Sequence, residues 1–240
     1  MRVLAAILIP MLLVSSANAQ YLDTAMTAGS APLTSAKIVN LIAILSVLSI
    51  APSLLVMMTS FTRIVIALSF LRTGLGLQST PANIILVSLA LFMTFLVMSP
   101  VAERAWREGV QPLANNSIAE TEAIERILEP FREFMTKHVR DKDLKSLGAL
   151  AQSGDVDNRR PDLKVLVPAF MLSELRRGFE IGFLIALPFL VIDLIVATIT
   201  MSMGMMMLPP SVIALPVKVL FFVLIDGWSL LIGSLIRSYN

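Results

Sequence analysis

The chain has 240 residues, 56% of them hydrophobic and only 15% charged, where a soluble domain carries about 25%. The net charge of +2 is too small to argue for a nucleic-acid partner, and the absence of cysteine excludes disulfides, iron–sulfur clusters and thiolate zinc sites. What remains is a membrane-type composition.

Residues 1–19 read as a secretory signal peptide. Arg2 is the positive end, Val3 to Val14 the short apolar core, and Ala17-Asn18-Ala19 the cleavage site. A mature N-terminal segment, 20–37, follows. Residues 38–102 read as a first membrane-type hairpin. Its first span is the charge-free run from Ile38 to Thr62, with Pro52 as a kink. A loop around Arg63 and Arg72 connects it to a second span. Ser79 or Thr80 caps that helix and Pro81 takes its first position, and the helix runs to about Pro100.

Charges concentrate in 103–164, which holds more than half of the 19 Lys/Arg and of the 17 Asp/Glu. This window reads as a polar helical domain. Ser117 to Glu120 fits a capping box, and Ile124, Ile127, Leu128, Phe131 and Met135 give one apolar face. Pro130 is expected to bend or end that helix. Asp141 can cap a second short helix, and 153–161 reads as loop. The single histidine, His138, reads as solvated or packed, not as a ligand. Interleaved Glu and Arg residues read as a solvated face with weak pairing.

Residues 165–240 read as a second hairpin, with spans at Ile181–Thr200 and Val212–Ile236. Asp193 lies inside the first, and Lys218 and Asp226 inside the second. A charge facing lipid costs roughly 2.5–3.5 kcal/mol, so Asp193 needs a partner: Lys218, or a neighbouring subunit. Glu174 with Arg177, and Arg176 with Glu180, stand at pairing distance on one helix. Gly178 and Gly182 permit close helix approach. The four spans and two bases in the first loop place that loop and the turn after Thr200 on the cytoplasmic side, and the polar domain outside.

That turn is the oddest segment of the chain. Met201, Met203, Met205, Met206 and Met207 crowd it, followed by Leu208-Pro209-Pro210. Turns ordinarily take Gly, Asn, Asp or Ser. Flexible thioethers suit a soft seal or deformable packing, and also Cu(I), which leaves a copper transporter as the rival reading. Phosphate-loop, dinucleotide and nucleophile-elbow patterns are missing, so no catalytic residue, metal or cofactor is assigned.

The run Pro168 to Gly182, Pro188 to Leu194, the Met run with its prolines, and Leu215-Pro216-Val217-Lys218 ending in Asp226-Gly227-Trp228 resemble the FliP/SctR family of type III secretion export-gate subunits. Met58 to Arg63 and Gln78 to Pro81 are similar to it too. The resemblance implies an all-α integral membrane protein that acts as a core channel-forming subunit of the flagellar protein export gate. It implies a homo-oligomer, understood as a pentamer, with FliQ and FliR, near FlhA and FlhB, assembled with the help of FliO. Unfolded flagellar proteins would be the cargo and the inner membrane at the flagellar basal body the location. It also implies that helices sit above the bilayer plane, which would undo the four-span topology. The injectisome branch shares the implied fold; the signal peptide favours the flagellar one. On this resemblance the pore seal falls on Met205, Met206 and Met207; Met203 and Met201 either belong to the seal or pack in the core. Asp193, Lys218 and Arg63 become structural or gating charges. Glu174, Arg176, Arg177, Glu180, Gly178 and Gly182 become subunit-interface candidates.

Overall fold

The structure, a computed structural model, describes Ser46, Ser49, Ser53 and residues 56–77, 79–151, 160–204 and 209–239. The signal-peptide expectation and most of the first span lie outside the described residues. Every regular element among the described residues is helical: α1 (Phe61–Gly74), α2 (Asn83–Ala105), a π-helical turn (Trp106–Val110), α3 (Gln111–Ala114), α4 (Glu120–His138), α5 (Asp141–Leu150), α6 (Leu163–Ser202), α7 (Pro210–Leu224) and α8 (Gly227–Arg237).

The chain divides into two compact units, residues 1–56 with 99–134, and residues 57–98 with 135–240. In the first, Gly109 of the π-helical turn sits so close to Ile127 that a Cβ there would collide with its side chain. Ala123 is fully buried in the same unit.

The second unit holds a core centred on α1. Ile64, Ala67, Leu68, Leu71 and Leu75 recur at helical spacing and are buried, with Leu86, Ala90 and Met93 of α2, Phe189 of α6, Phe222 of α7, and Leu231 and Leu235 of α8. α1 lies against α6 at close range. A Cβ at Gly182 would come within 2.7 Å of Phe70, and one at Gly178 within 3.1 Å of Ile66. α1 ends in a Schellman motif: Gly76 takes φ +80, its N–H donates to Thr73 O (2.9 Å), and Leu77 N–H donates to Arg72 O (3.1 Å).

Several expectations are corrected here. The segment read as a loop, 63–72, is helix α1; the chain turns instead at Met58–Ser60, just after helical Met57. The two positive charges used to orient that loop are not equivalent. Arg63 is fully buried, and Arg72 donates to Asn83 Oδ1. α2 starts at Asn83, not Pro81, with Ala82 O accepting from Ile85 and Leu86 N–H. Ser117 does not form a capping box: its hydroxyl donates to Pro112 O (2.9 Å), and α4 begins on Ala119 O. Pro130 neither ends nor interrupts α4, which continues to His138.

The third apolar stretch is the end of a much longer helix. α6 has 40 residues, roughly 60 Å at 1.5 Å per residue, about twice the bilayer's hydrocarbon thickness. Asp162 caps it, its carboxylate accepting from Lys164 N–H (3.1 Å). The fourth apolar stretch is two helices meeting at a 64° bend after Leu224. By length and composition α2 with its extension and α6 can each cross a membrane, and α7–α8 can do so as a bent pair. The described residues therefore hold two or three such elements.

Candidate functional site

Three places in the second unit gather the chemistry. The first is the far end of α6. Met201 and Met203 are 63% and 68% exposed, so they are not core packing within the chain. Gly204 turns the chain with φ +73 and donates to Met201 O (3.1 Å). Any residue with a Cβ is strained at that φ. The chain re-enters helix at Pro210, with Pro209 extended before it. Met205, Met206 and Met207 lie outside the described residues. What is on view is the rim of the turn: two exposed thioether side chains on a stiff helical stem.

The second place is the charge pair inside the apolar helices. Lys218 of α7 donates to Asp193 Oδ2 of α6 (2.5 Å) and to Gly74 O of α1 (3.0 Å). Thus the partner required for Asp193 is present within one chain. Gly74 is the last residue of α1, where unpaired carbonyls and the negative end of the helix dipole favour a cation. The ammonium is buried, whereas the Asp193 side chain is 40% exposed. Three helices are thereby joined at one buried nitrogen, and the carboxylate keeps an open side.

The third place was only half anticipated. Arg63 of α1 and Glu174 of α6 form a two-pronged ion pair with both side chains fully buried, through Arg63 Nε to Oε2 (2.9 Å) and Nη2 to Oε1. Tyr239 completes it. Its hydroxyl lies 2.5 Å from Glu174 Oε2 and 3.2 Å from Ser60 O, and its ring stacks on the guanidinium, 3.7 Å from centroid to Cζ. Burial first, then the Glu174 carboxylate, pushes the Tyr239 phenol well above its usual range, so it stays a donor. Arg63 Nη1 takes the Ser238 carbonyl (3.0 Å) and hydroxyl (2.8 Å). His138 packs against the same tyrosine, its Nε2 3.2 Å from Tyr239 O. It is buried, so the packed reading holds and the solvated one does not.

The interface candidates therefore separate. Glu174 does not pair with Arg177; it is sealed inside the chain on Arg63. Gly178 and Gly182 sit against α1 of the same chain. Arg176 and Glu180 do pair (3.0 Å) and are exposed, and Arg177 is half-buried. Sequence reasoning missed Tyr239, whose partners lie 65 and 179 residues away. It also missed the bend, although Asp226-Gly227 is a recognisable turn dipeptide. Among the described residues no group of three or more His, Asp or Glu converges as a metal site.

The FliP family model matches residues 44–235. The flagellar biosynthetic protein FliP of Agrobacterium fabrum is 64% identical over 206 residues, covering 85% of this chain and 84% of that protein. Its counterpart in Rhizobium meliloti is 62% identical, covering 84% of each. That of Bacillus subtilis is 49% identical, covering 84% of this chain and 91% of its own length.

Proposed function

The chain belongs to the FliP family, and on that premise we propose that it is a channel-forming subunit of the flagellar type III protein export gate, closed by its methionine turn. Several copies, five by the family resemblance, surround a conduit with FliQ and FliR in the inner membrane. FlhA and FlhB stand nearby, and FliO assists assembly. Unfolded flagellar proteins pass through. The protein's part is mechanical and no catalytic step is assigned to it.

The observation that carries this reading is the exposed methionine rim at the end of a helix long enough to reach well beyond a bilayer. One such turn is a loose apolar loop. Copies arranged around an axis form a deformable dry constriction. Unbranched thioether side chains change rotamer at little cost and fit cargo of varying shape. A ring without polar groups blocks ions by dewetting. Met205, Met206 and Met207 supply the seal, and Met203 and Met201 its support. The Asp193–Lys218 pair holds α6 and α7, the two stems of the turn, at a fixed register. Arg176, Arg177 and Glu180 remain candidates for contact between copies. The relatives' name, flagellar biosynthetic protein, supports the flagellar branch over the injectisome one.

The test is ion leakage through the assembled complex in cells. Replacing Met205, Met206 and Met207 together with alanine is expected to leave the complex assembled and to raise ion leakage across the inner membrane. An assembled triple variant that leaks no more than the parent would remove the seal from the proposal.

A further inference from the structure

α8 is fixed at both ends by unusual means. At its start the chain bends by 64° through Asp226, a non-glycine residue with φ +51 and ψ +51. Holding a residue with a Cβ in that region costs about 1 kcal/mol or more. The next position requires glycine, because a Cβ on Gly227 would collide with the Phe222 ring. Past its other end, Ser238 and Tyr239 leave the helix and seat on the buried Arg63–Glu174 pair. Between the two points Leu231 and Leu235 enter the core around α1.

We propose that α8 is a hinged strap, with its hinge at Asp226–Gly227 and its catch at Ser238–Tyr239, closed over α1. The charges dictate the catch. A buried guanidinium must have its donors satisfied, and a buried carboxylate its acceptors. Without Ser238, Arg63 Nη1 loses both of its acceptors; without Tyr239, Glu174 loses the phenol and the guanidinium face loses its ring. The closed strap also fixes the turn that precedes α1. The Tyr239 hydroxyl holds Ser60 O, and Ser60 is fully buried. Opening the strap therefore uncovers Ser60 and the Arg63 end of α1 and withdraws Leu231 and Leu235 from the core, while the close contact of α1 with α6 at Gly178 and Gly182 stays packed.

The cysteine-free sequence makes a direct test available. Ser60→Cys places a single thiol under the catch. Its cost is small, because Ser60 Oγ has no hydrogen-bond partner among the described residues. Thr200→Cys places a thiol at another buried site, 26 residues along α6 from Glu174, about 39 Å by helical rise. Each is read by maleimide labelling in the full chain within its native membrane complex. Adding Tyr239→Ala should raise the Ser60→Cys rate about tenfold or more, because labelling of a buried group follows the population of its open form. The Thr200→Cys rate should not change. Tyr239→Phe, which keeps the ring and loses the hydroxyl, should give a smaller rise at Ser60→Cys alone. An unchanged Ser60→Cys rate with Tyr239→Ala overturns the strap. If Tyr239→Ala raises both positions, Tyr239→Phe decides: a selective rise at Ser60→Cys upholds the strap, and any other result overturns it.

Discussion

Arg63 is the residue whose meaning depends most on its surroundings. In the sequence it is a cation beside an apolar run, which orients a loop and stands among the structural or gating charges without a partner in view. In the fold it is fully buried and held by Glu174, Ser238 and Tyr239. Its ion partner lies 111 residues away, and no local spacing rule links the two. Glu174 points to Arg177 in the sequence for the same reason: the neighbour at i+3 is the only partner that local spacing displays. The buried pair should behave asymmetrically. Replacing Glu174 alone by Leu leaves a buried guanidinium without its counter-ion, at a cost of about 3–5 kcal/mol. Replacing Arg63 and Glu174 together by leucine should cost less than either single change. A double-mutant cycle on chemical or thermal unfolding of the purified complex measures this, and additive losses would contradict it. A surface pair provides the contrast. Arg104 Nη1 lies 2.5 Å from Glu133 Oε2, and their side chains are 40% and 52% exposed. The Arg104 hydrogen bond holds the Glu133 carboxyl below its usual range. Stability from this contact is therefore present above the ordinary glutamate range and is lost as pH falls through the lowered value. Solvent screening limits it to about 1 kcal/mol or less. Glu133→Gln should lower the thermal midpoint slightly at pH 7 and not at all once the native carboxyl is protonated.

At the scale of elements, the α1–α6 contact organises the second unit. Gly178 and Gly182 stand one turn apart on α6 and admit Ile66 and Phe70 of α1. The small-residue spacing was legible, but its partner was not. A sequence shows that two helices can approach closely without showing whether the second belongs to the same copy. Gly182→Ala should destabilise the chain by about 1–3 kcal/mol, because a Cβ 2.7 Å from Phe70 forces that ring to move. Pairing it with Phe70→Leu should recover part of the loss, measured by thermal unfolding of the complex. No recovery would mean that the contact lies elsewhere. The helix boundaries show where apolar runs mislead. Apolar length placed a span at 181–200, yet the helix starts at Leu163, because the charge-bearing first half keeps helical spacing and is capped by Asp162. Hydropathy changes along α6, and the backbone does not. The reverse holds for Val212–Ile236, where hydropathy is continuous but the helix breaks at Asp226-Gly227.

At the scale of the whole molecule, the membrane character was legible from composition, the helices from apolar runs and helical spacing, and the family from motifs spread along the chain. The end of the turn at Pro209-Pro210 was also legible, because proline fixes local backbone whatever surrounds it. Of the four expected spans, the first lies mostly outside the described residues, and the other three correspond to α2, α6 and the bent pair α7–α8, whose lengths and break hydropathy alone did not display. Exposed methionines at the end of a long stem make physical sense only when another surface faces them. The central claim is thus that the turns of different copies meet at one axis. Met203→Cys tests it most directly. In the otherwise cysteine-free chain it places one thiol on the exposed rim. Treatment of the intact membrane complex with a short bismaleimide should join copies into covalent dimers through that position, whereas the same reaction at exposed Ser202→Cys, the adjacent last residue of α6, should be weaker. An intact complex that yields no dimer through Met203→Cys would contradict the account.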